Sequence, residues 1–222
     1  MITVHILLYL ILLLTAMLSY LFKKLTLFGA ITGWMVSIII ALGTGYASIC
    51  LLAVFFILAS LATKTNGIRR TAGQVIANGG VAAILGLSAF IWPQKLMIFQ
   101  AMLAGSLASA TADTLSSELG TVYGKKFFNI LNFKRDEKGL DGVISFEGTL
   151  MGIAGALIIA CTYCFFNGWN VLFAYIIIAG FTGNIADSIL GATLERKGII
   201  GNNTVNFLNT AIGAIVVIYY FK

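Results

Sequence analysis

Eight apolar runs, divided by short polar connections, limit what this chain can fold into more than any other feature. They cover residues 4–22, 25–42, 46–62, 74–91, 96–112, 144–166, 171–190 and 205–221. A hydrocarbon core of about 30 Å asks for roughly 20 apolar residues of helix, at about 1.5 Å of rise per residue. Each run is close to that length. With 59% hydrophobic and only 10% charged residues and a mean hydropathy of +0.99, the chain lacks the charge to surface a soluble domain. One proline and 24 glycines without a three-residue period exclude proline-rich and collagen-like chains. The expected fold is therefore all-α, a polytopic membrane bundle of about eight transmembrane helices. Residues 1–222 form a single transmembrane domain, with 113–143 as the longest cytoplasmic loop. The first run has its charges, Lys23 and Lys24, behind it instead of in front, so it reads as a retained span and not a cleaved signal peptide.

The charges sort by side. Lys23, Lys24, Lys64, Arg69, Arg70, Lys125, Lys126, Lys134, Arg135, Lys138, Arg196 and Lys197 fall in odd-numbered connections, leaving only Lys95 and Lys222 for the other side. Basic loops stay in the cytoplasm, so this parity expects eight spans, both termini outside and a cytoplasmic charged face. Tyr46, Trp92, Trp169, Tyr219 and Tyr220 gather at the charge-poor ends, as interfacial anchors do. The net charge of +6 is explained by these loops, and no nucleic-acid partner is expected. All eight acids, Asp113, Glu118, Asp136, Glu137, Asp141, Glu147, Asp187 and Glu195, share the basic side. Acidic residues do little to set topology. Their one-sidedness points to chemistry at that face.

Two acids sit on faces of small residues. Gly105, Ala108, Ser109, Ala112, Asp113 and Ser116 follow helical spacing in the fifth run. Gly180, Gly183, Asn184, Asp187, Ser188 and Gly191 do the same in the seventh, with Glu195 one turn beyond. Such faces serve close helix packing. A carboxylate at a hydrocarbon boundary costs up to about 3 kcal/mol, however, and turns toward a bundle interior or cavity. The segments share Ala-Asp-Thr at 112–114 and Ala-Asp-Ser at 186–188, a short candidate repeat. Polar rows lie at the same level elsewhere: Arg70, Gln74 and Asn78; Ser145, Gly148, Thr149, Gly152 and Gly155; Asn202, Asn206, Asn209 and Thr210.

Asp113, Glu118, Asp187 and Glu195 are hard oxygen donors suited to magnesium, and Arg69, Arg70, Lys125 and Lys126 suit phosphate oxygens. Glu118 lies about 140° around the helix from Asp113, so it is expected to join the site only if the helix ends or bends near Ser116. Other chemistries are missing. His5, the only histidine, lies at the outer end of the first run, which removes a histidine-based triad from the inner face. GTVYGKK at 120–126 lacks the spacing and the hydroxyl residue of a P-loop. Cys50, Cys161 and Cys164 lie inside spans without zinc-ligand spacing. A phosphate monoester, with a second pKa of about 6, is already an anionic nucleophile near neutral pH. Its activation needs no histidine base.

RRTAGQVIANGG at 69–80, ADTLSSELG at 112–120, GVISFEGT at 142–149 and GNIADSILGATLE at 183–195 together resemble domain-of-unknown-function family 92. These integral membrane proteins include transmembrane protein 19 and a plant phytyl-phosphate kinase. Family members usually read GTNGGVS where this chain has GLDGVIS at 139–145, so Asp141 is a departure. The resemblance implies conversion of a polyprenyl monophosphate to its diphosphate by a nucleoside triphosphate, CTP or ATP, with Mg2+. It implies catalytic roles for Asp113, Asp187 and Arg70, and metal ligation by Asp113, Glu118, Asp187 and Glu195. Substrate and nucleotide contacts would come from Arg69, Gln74, Asn78, Ser117, Lys125, Ser145, Thr149, Asn184, Ser188, Asn202 and Asn206. The expected partners are an isoprenoid lipid phosphate, a nucleotide and membrane lipid, with a homo-oligomer left open. Cytidylyltransferase-like nucleotidyl transfer uses the same acids. A small-molecule or lipid transporter would instead need polar groups through the whole membrane depth.

Overall fold

The computed structural model describes residues 2–63 and 69–222, with side chains from Ile6 onward in the first helix. Lys64 and the side chain of His5 lie outside the described residues. The eight apolar runs are helices: α1 (Ile2–Leu21), α2 (Leu27–Thr44), α3 (Tyr46–Ala62), α4 (Ala72–Ile91), α5 (Leu96–Tyr123), α6 (Phe146–Asn167), α7 (Leu172–Leu190) and α8 (Asn202–Ile218). Six are long and apolar enough to cross a membrane, while α3 and the Ile6–Leu21 portion of α1 are shorter apolar helices. The connection between α5 and α6 carries a two-residue antiparallel pair, β1 (Phe128–Asn129) with β2 (Val143–Ile144).

Helix α5 is the hub. It packs against α3, α4, α6, α7 and α8, and nearly all of its side chains from Ala101 to Leu115 are buried. Small residues make this possible, because without Cβ atoms two backbones can approach to van der Waals contact. A Cβ on Gly148 of α6 would lie 2.7 Å from the Ser116 carbonyl oxygen and 3.0 Å from Gly120 Cα of α5. Large apolar side chains such as Met17, Phe28, Leu61, Phe90 and Phe165 point outward instead, where acyl chains replace water as their solvent. Leu103, Leu107, Ile159, Ile176 and Val217 fill the half of the bundle away from the charged loops and are fully buried.

At the charged end, side chains satisfy the first backbone N–H groups of three helices. Thr26 Oγ1 accepts from Gly29 N at 3.0 Å, and Ser145 Oγ accepts from Gly148 N at 3.1 Å. Thr71 and Gln74 form a reciprocal capping box at the start of α4. Backbone bonds from Thr26 N to Arg70 O and from Arg70 N to Lys24 O, each 3.0 Å, tie the α1–α2 connection to the entry of α4. Arg70 therefore precedes α4 in extended backbone and does not continue the helical row of Gln74 and Asn78.

The long loop is shorter than expected. Helix α5 runs on to Tyr123 and is capped at Gly124, so the connection begins about three helical turns beyond Asp113. Hydropathy falls after Ala112 because the helix enters a polar cavity, not because it ends. Glu118 accordingly needs no bend near Ser116 to reach the site.

Candidate functional site

The ends of α4, α5, α6, α7 and α8, with the α5–α6 connection, surround a polar cavity of about 330 Å³ at the charged end of the bundle. The end of α5 contributes Asp113, Thr114, Ser116, Ser117, Glu118 and Thr121, and the entry to α4 contributes Arg70, Gln74 and Asn78. Asn184, Asp187 and Ser188 come from α7, Asn202 and Asn206 from the start of α8, and Ser145 from the cap of α6. The loop segment from Gly139 to Ile144 closes one wall.

At its base the carboxyl groups of Asp113 and Asp187 meet, with Glu118 and Glu195 in electrostatic reach of Asp113. The candidate repeat thus becomes a facing pair, one acid from α5 and one from α7, on helices packed side by side. A hydrogen-bond chain through three helices orients Asp187. Asn209 Nδ2 donates to Asp187 Oδ1 at 2.7 Å, and Ser109 Oγ lies 3.1 Å from Asn209 Oδ1 and 3.0 Å from Asn209 O. Asn209 and Ser109 are both fully buried, and a buried amide held from two sides has little freedom to turn.

Glu195 reaches the cavity through a π-helical turn, Gly191–Glu195, that widens the end of α7. Such turns re-aim side chains and are frequent at functional sites. The turn packs against Gly142, whose φ of +72° suits glycine and where a Cβ would collide with Ala192. Just beyond it, Arg196 Nε donates to Asp141 O at 2.6 Å and Nη2 pairs with Asp136 at 2.8 Å. That guanidinium holds the Asp136 carboxyl below the usual carboxylate range, with help from the Glu137 backbone N–H and Asn129.

Arg70 Nη2 donates to Thr63 Oγ1 at 2.8 Å and to Ala59 O at 3.3 Å. Burial pushes its pKa down, while the nearby Glu118 raises it. Among the described residues it is the only cationic side chain lining the cavity, against five carboxylates: Asp113, Glu118, Asp141, Asp187 and Glu195.

The Integral membrane protein DUF92 family model matches residues 10–214 of this chain. The chain belongs to this family. Its DUF92 relatives include the uncharacterized membrane protein MJ0933 of Methanocaldococcus jannaschii, 37% identical over 186 residues, covering 78% of this chain and 75% of that protein. The uncharacterized membrane protein sll0875 of Synechocystis is 30% identical, covering 88% of this chain and 82% of that one. Protein VTE6, chloroplastic, of Arabidopsis thaliana is 29% identical over 78% of this chain, which spans only 58% of that longer relative. No solved structure matches the chain.

Within this DUF92 fold, most of the residues singled out from the sequence come together. Asp113, Asp187, Arg70, Gln74, Asn78, Ser117, Glu118, Ser145, Asn184, Ser188, Glu195, Asn202 and Asn206 all line the cavity. Three do not. The Arg69 guanidinium sits 5.6 Å from the centre of the Tyr20 ring, Lys125 is exposed with its backbone N–H on Glu147, and Thr149 Oγ1 donates back to Ser145 O within α6. Gln74 and Ser145 also serve as helix caps. Asp141 is the residue underestimated from the sequence, for its position lines the cavity although it departs from the usual family wording.

The donor set fits magnesium in a particular way. Among the described residues no three acid, cysteine or histidine side chains converge as a ready-made ligand cage. Magnesium ordinarily takes one or two carboxylates and fills its octahedron with water and substrate phosphate oxygens. Asp113 with Asp187 supplies that pair, and Glu118 and Glu195 border it.

Proposed function

We propose that the cavity is the active site of a magnesium-dependent phosphotransferase that converts an isoprenoid lipid monophosphate to its diphosphate at the cytoplasmic face. One observation carries the reading: five carboxylates and one guanidinium line the same cavity. So acidic a cavity repels a free phosphate, yet it suits phosphate groups that arrive with divalent cations. The family resemblance, which includes a plant phytyl-phosphate kinase, supports the substrate class.

In this reaction an oxygen of the lipid monophosphate attacks the γ-phosphorus of the nucleoside triphosphate. The bond from that phosphorus to the β–γ bridging oxygen breaks, and nucleoside diphosphate leaves. The attacking group is already anionic near neutral pH, so the residues need only position and neutralise. Magnesium, when bound, offsets charge on the transferring group. Asp113 and Asp187 would hold it, Asn209 and Ser109 keep Asp187 in place, and Arg70 meets the lipid's phosphate. The asparagines Asn78, Asn184 and Asn206 offer amide contacts to the remaining oxygens.

Nucleotidyl transfer would use the same acids but release pyrophosphate. Transport receives less support, because beyond Ser109 and Asn209 the interior is packed with fully buried Leu103, Leu107, Ile159 and Ile176. The reading is tested with purified protein, magnesium and phytyl, farnesyl or geranylgeranyl phosphate, using nucleotide labelled at either the γ- or the α-phosphate. The γ-label is expected in the lipid product. Label from the α-position would instead establish nucleotidyl transfer, and no labelled lipid from any substrate would refute both.

A further inference from the structure

A second cavity, of about 220 Å³, lies between α1, α2, α3 and α4, and no group of the proposed reaction accounts for it. Its walls are largely apolar, formed by side chains such as Leu12, Val36, Leu52, Phe55 and Val75. It adjoins the acid-rich cavity, since Arg70, Gln74 and Asn78 line both. Along α1 the lining extends from Ser19 to Ile11, about 12 Å at helical rise. The slot is therefore narrow, one end beside Arg70 and the other well inside the apolar layer.

Two observations point to an occupant. Trp34 Nε1 and Asn78 Oδ1 are buried without hydrogen-bond partners among the described residues, and both residues line the slot. Buried polar atoms are nearly always paired, so an orphaned donor and acceptor at this level mark a place where a polar group fits. Each lies about two turns from the charged end, the depth at which a head group would enter an apolar channel. The slot also has a side entrance. Helix α1 packs chiefly against α2, and Ile11, on the slot's rim, is 50% exposed on the lipid-facing surface.

We infer that this slot takes the branched hydrocarbon chain of a single-chain lipid monophosphate, admitted from the bilayer beside α1, with its phosphate delivered past Asn78 to Arg70. The inference rests on the phosphotransfer reading for its head group, but the tail site has its own test. One narrow slot excludes two-chain lipids such as phosphatidic acid. Arg70 gives charge complementarity at the junction and holds the phosphate there, while repulsion from the carboxylates beyond it keeps the phosphate from passing deeper until the nucleotide and its cation arrive.

The experiment uses full-length protein in nanodiscs and farnesyl phosphate carrying a photoreactive diazirine at the tail end. Cross-links mapped by mass spectrometry are expected on slot-lining residues of α1, α2 or α3, competed by farnesyl phosphate and not by dioleoyl phosphatidic acid. Gly33 provides a second measurement. A Cβ there would meet only Leu25 and Val75, at 3.8 and 4.0 Å, so Gly33→Phe can fill the slot without striking backbone. It is expected to lower cross-linking and farnesyl phosphate affinity at least about tenfold, the effect of excluding two methylene groups, while magnesium-nucleotide affinity is unchanged. Cross-links scattered over the outer surface, equal competition by phosphatidic acid, or undiminished labelling of Gly33→Phe would overturn the inference. Specific slot labelling without any diphosphate product would leave the tail site standing and remove the kinase reading. Diphosphate formation with labelling elsewhere would do the reverse.

Discussion

The proposed phosphoryl transfer depends first on two side chains, Asp113 and Asp187. Replacing Asp187 with Asn keeps shape and removes charge, so transfer activity is expected to fall by about 100-fold or more while the protein remains monodisperse in detergent. Asn209→Ala acts at one remove. It deletes the 2.7 Å bond to Asp187, and a charge-assisted hydrogen bond of this kind corresponds to roughly a 10-fold to 100-fold change. The loss should appear in kcat with little change in KM for lipid, and Asn209→Gln should not restore it because the longer side chain misplaces the donor. The two aspartates are legible from sequence because a carboxylate in a membrane helix needs a reason to be there. Arg69 and Lys125 mislead for the opposite reason: loop cations that set topology look the same as cations that meet phosphate. Asn209 is visible on the polar face of α8, but only the folded bundle reveals its bond to Asp187.

Asp136 makes a separate prediction at this scale. Its folded-state pKa is lowered, first by Arg196, so its stabilising contribution is complete above the unfolded carboxylate value of about 3.9. As pH falls through the lower folded value, that contribution is lost. The melting-temperature difference between wild type and Asp136→Asn is therefore expected to hold steady from neutral pH to about 4 and to close below it. A difference that widens on acidification would contradict the assigned ion pair.

At the scale of elements, the α5–α6 contact fixes the position of Asp113. Gly148→Ala forces a methyl toward the Ser116 carbonyl and is expected to destabilise the protein by about 1–3 kcal/mol, seen as a lower melting temperature. Gly33→Ala, with ordinary contacts around its Cβ, should leave it nearly unchanged. Helix existence is legible throughout because apolar runs of membrane-spanning length have few alternatives. The end of α5 is not. Ser116, Ser117 and Glu118 read as the start of a loop on hydropathy, yet a helix can continue through polar residues when a cavity receives them. Sequence spacing likewise carries Glu195 one regular turn past Gly191, whereas the structure brings it in through a π-helical turn.

Across the whole molecule, charge is concentrated at one end of an apolar bundle, with Tyr46, Trp92, Trp169 and Tyr219 exposed at the other. The excess of Lys and Arg at the charged end leads us to expect it in the cytoplasm. In intact cells, a cysteine placed at Lys138 should resist a membrane-impermeant maleimide while one at Lys95 reacts. The reverse pattern would invert the bundle. The sequence makes that asymmetry plain but suggests a basic phosphate-binding face, whereas the cavity itself is lined mainly by acids. Which loop charges turn inward depends on how the α5–α6 connection folds back over the helix ends, and that is a tertiary property.

Transfer of a phosphoryl group onto a lipid phosphate is open to direct observation by phosphorus NMR of a reaction containing purified protein, magnesium, nucleoside triphosphate and a prenyl monophosphate. The single lipid phosphate resonance is expected to be replaced by the coupled pair of a diphosphate with wild type and not with Asp113→Asn. A lipid resonance that stays single with every nucleotide and prenyl chain, or equal conversion by Asp113→Asn, would contradict the proposed transfer.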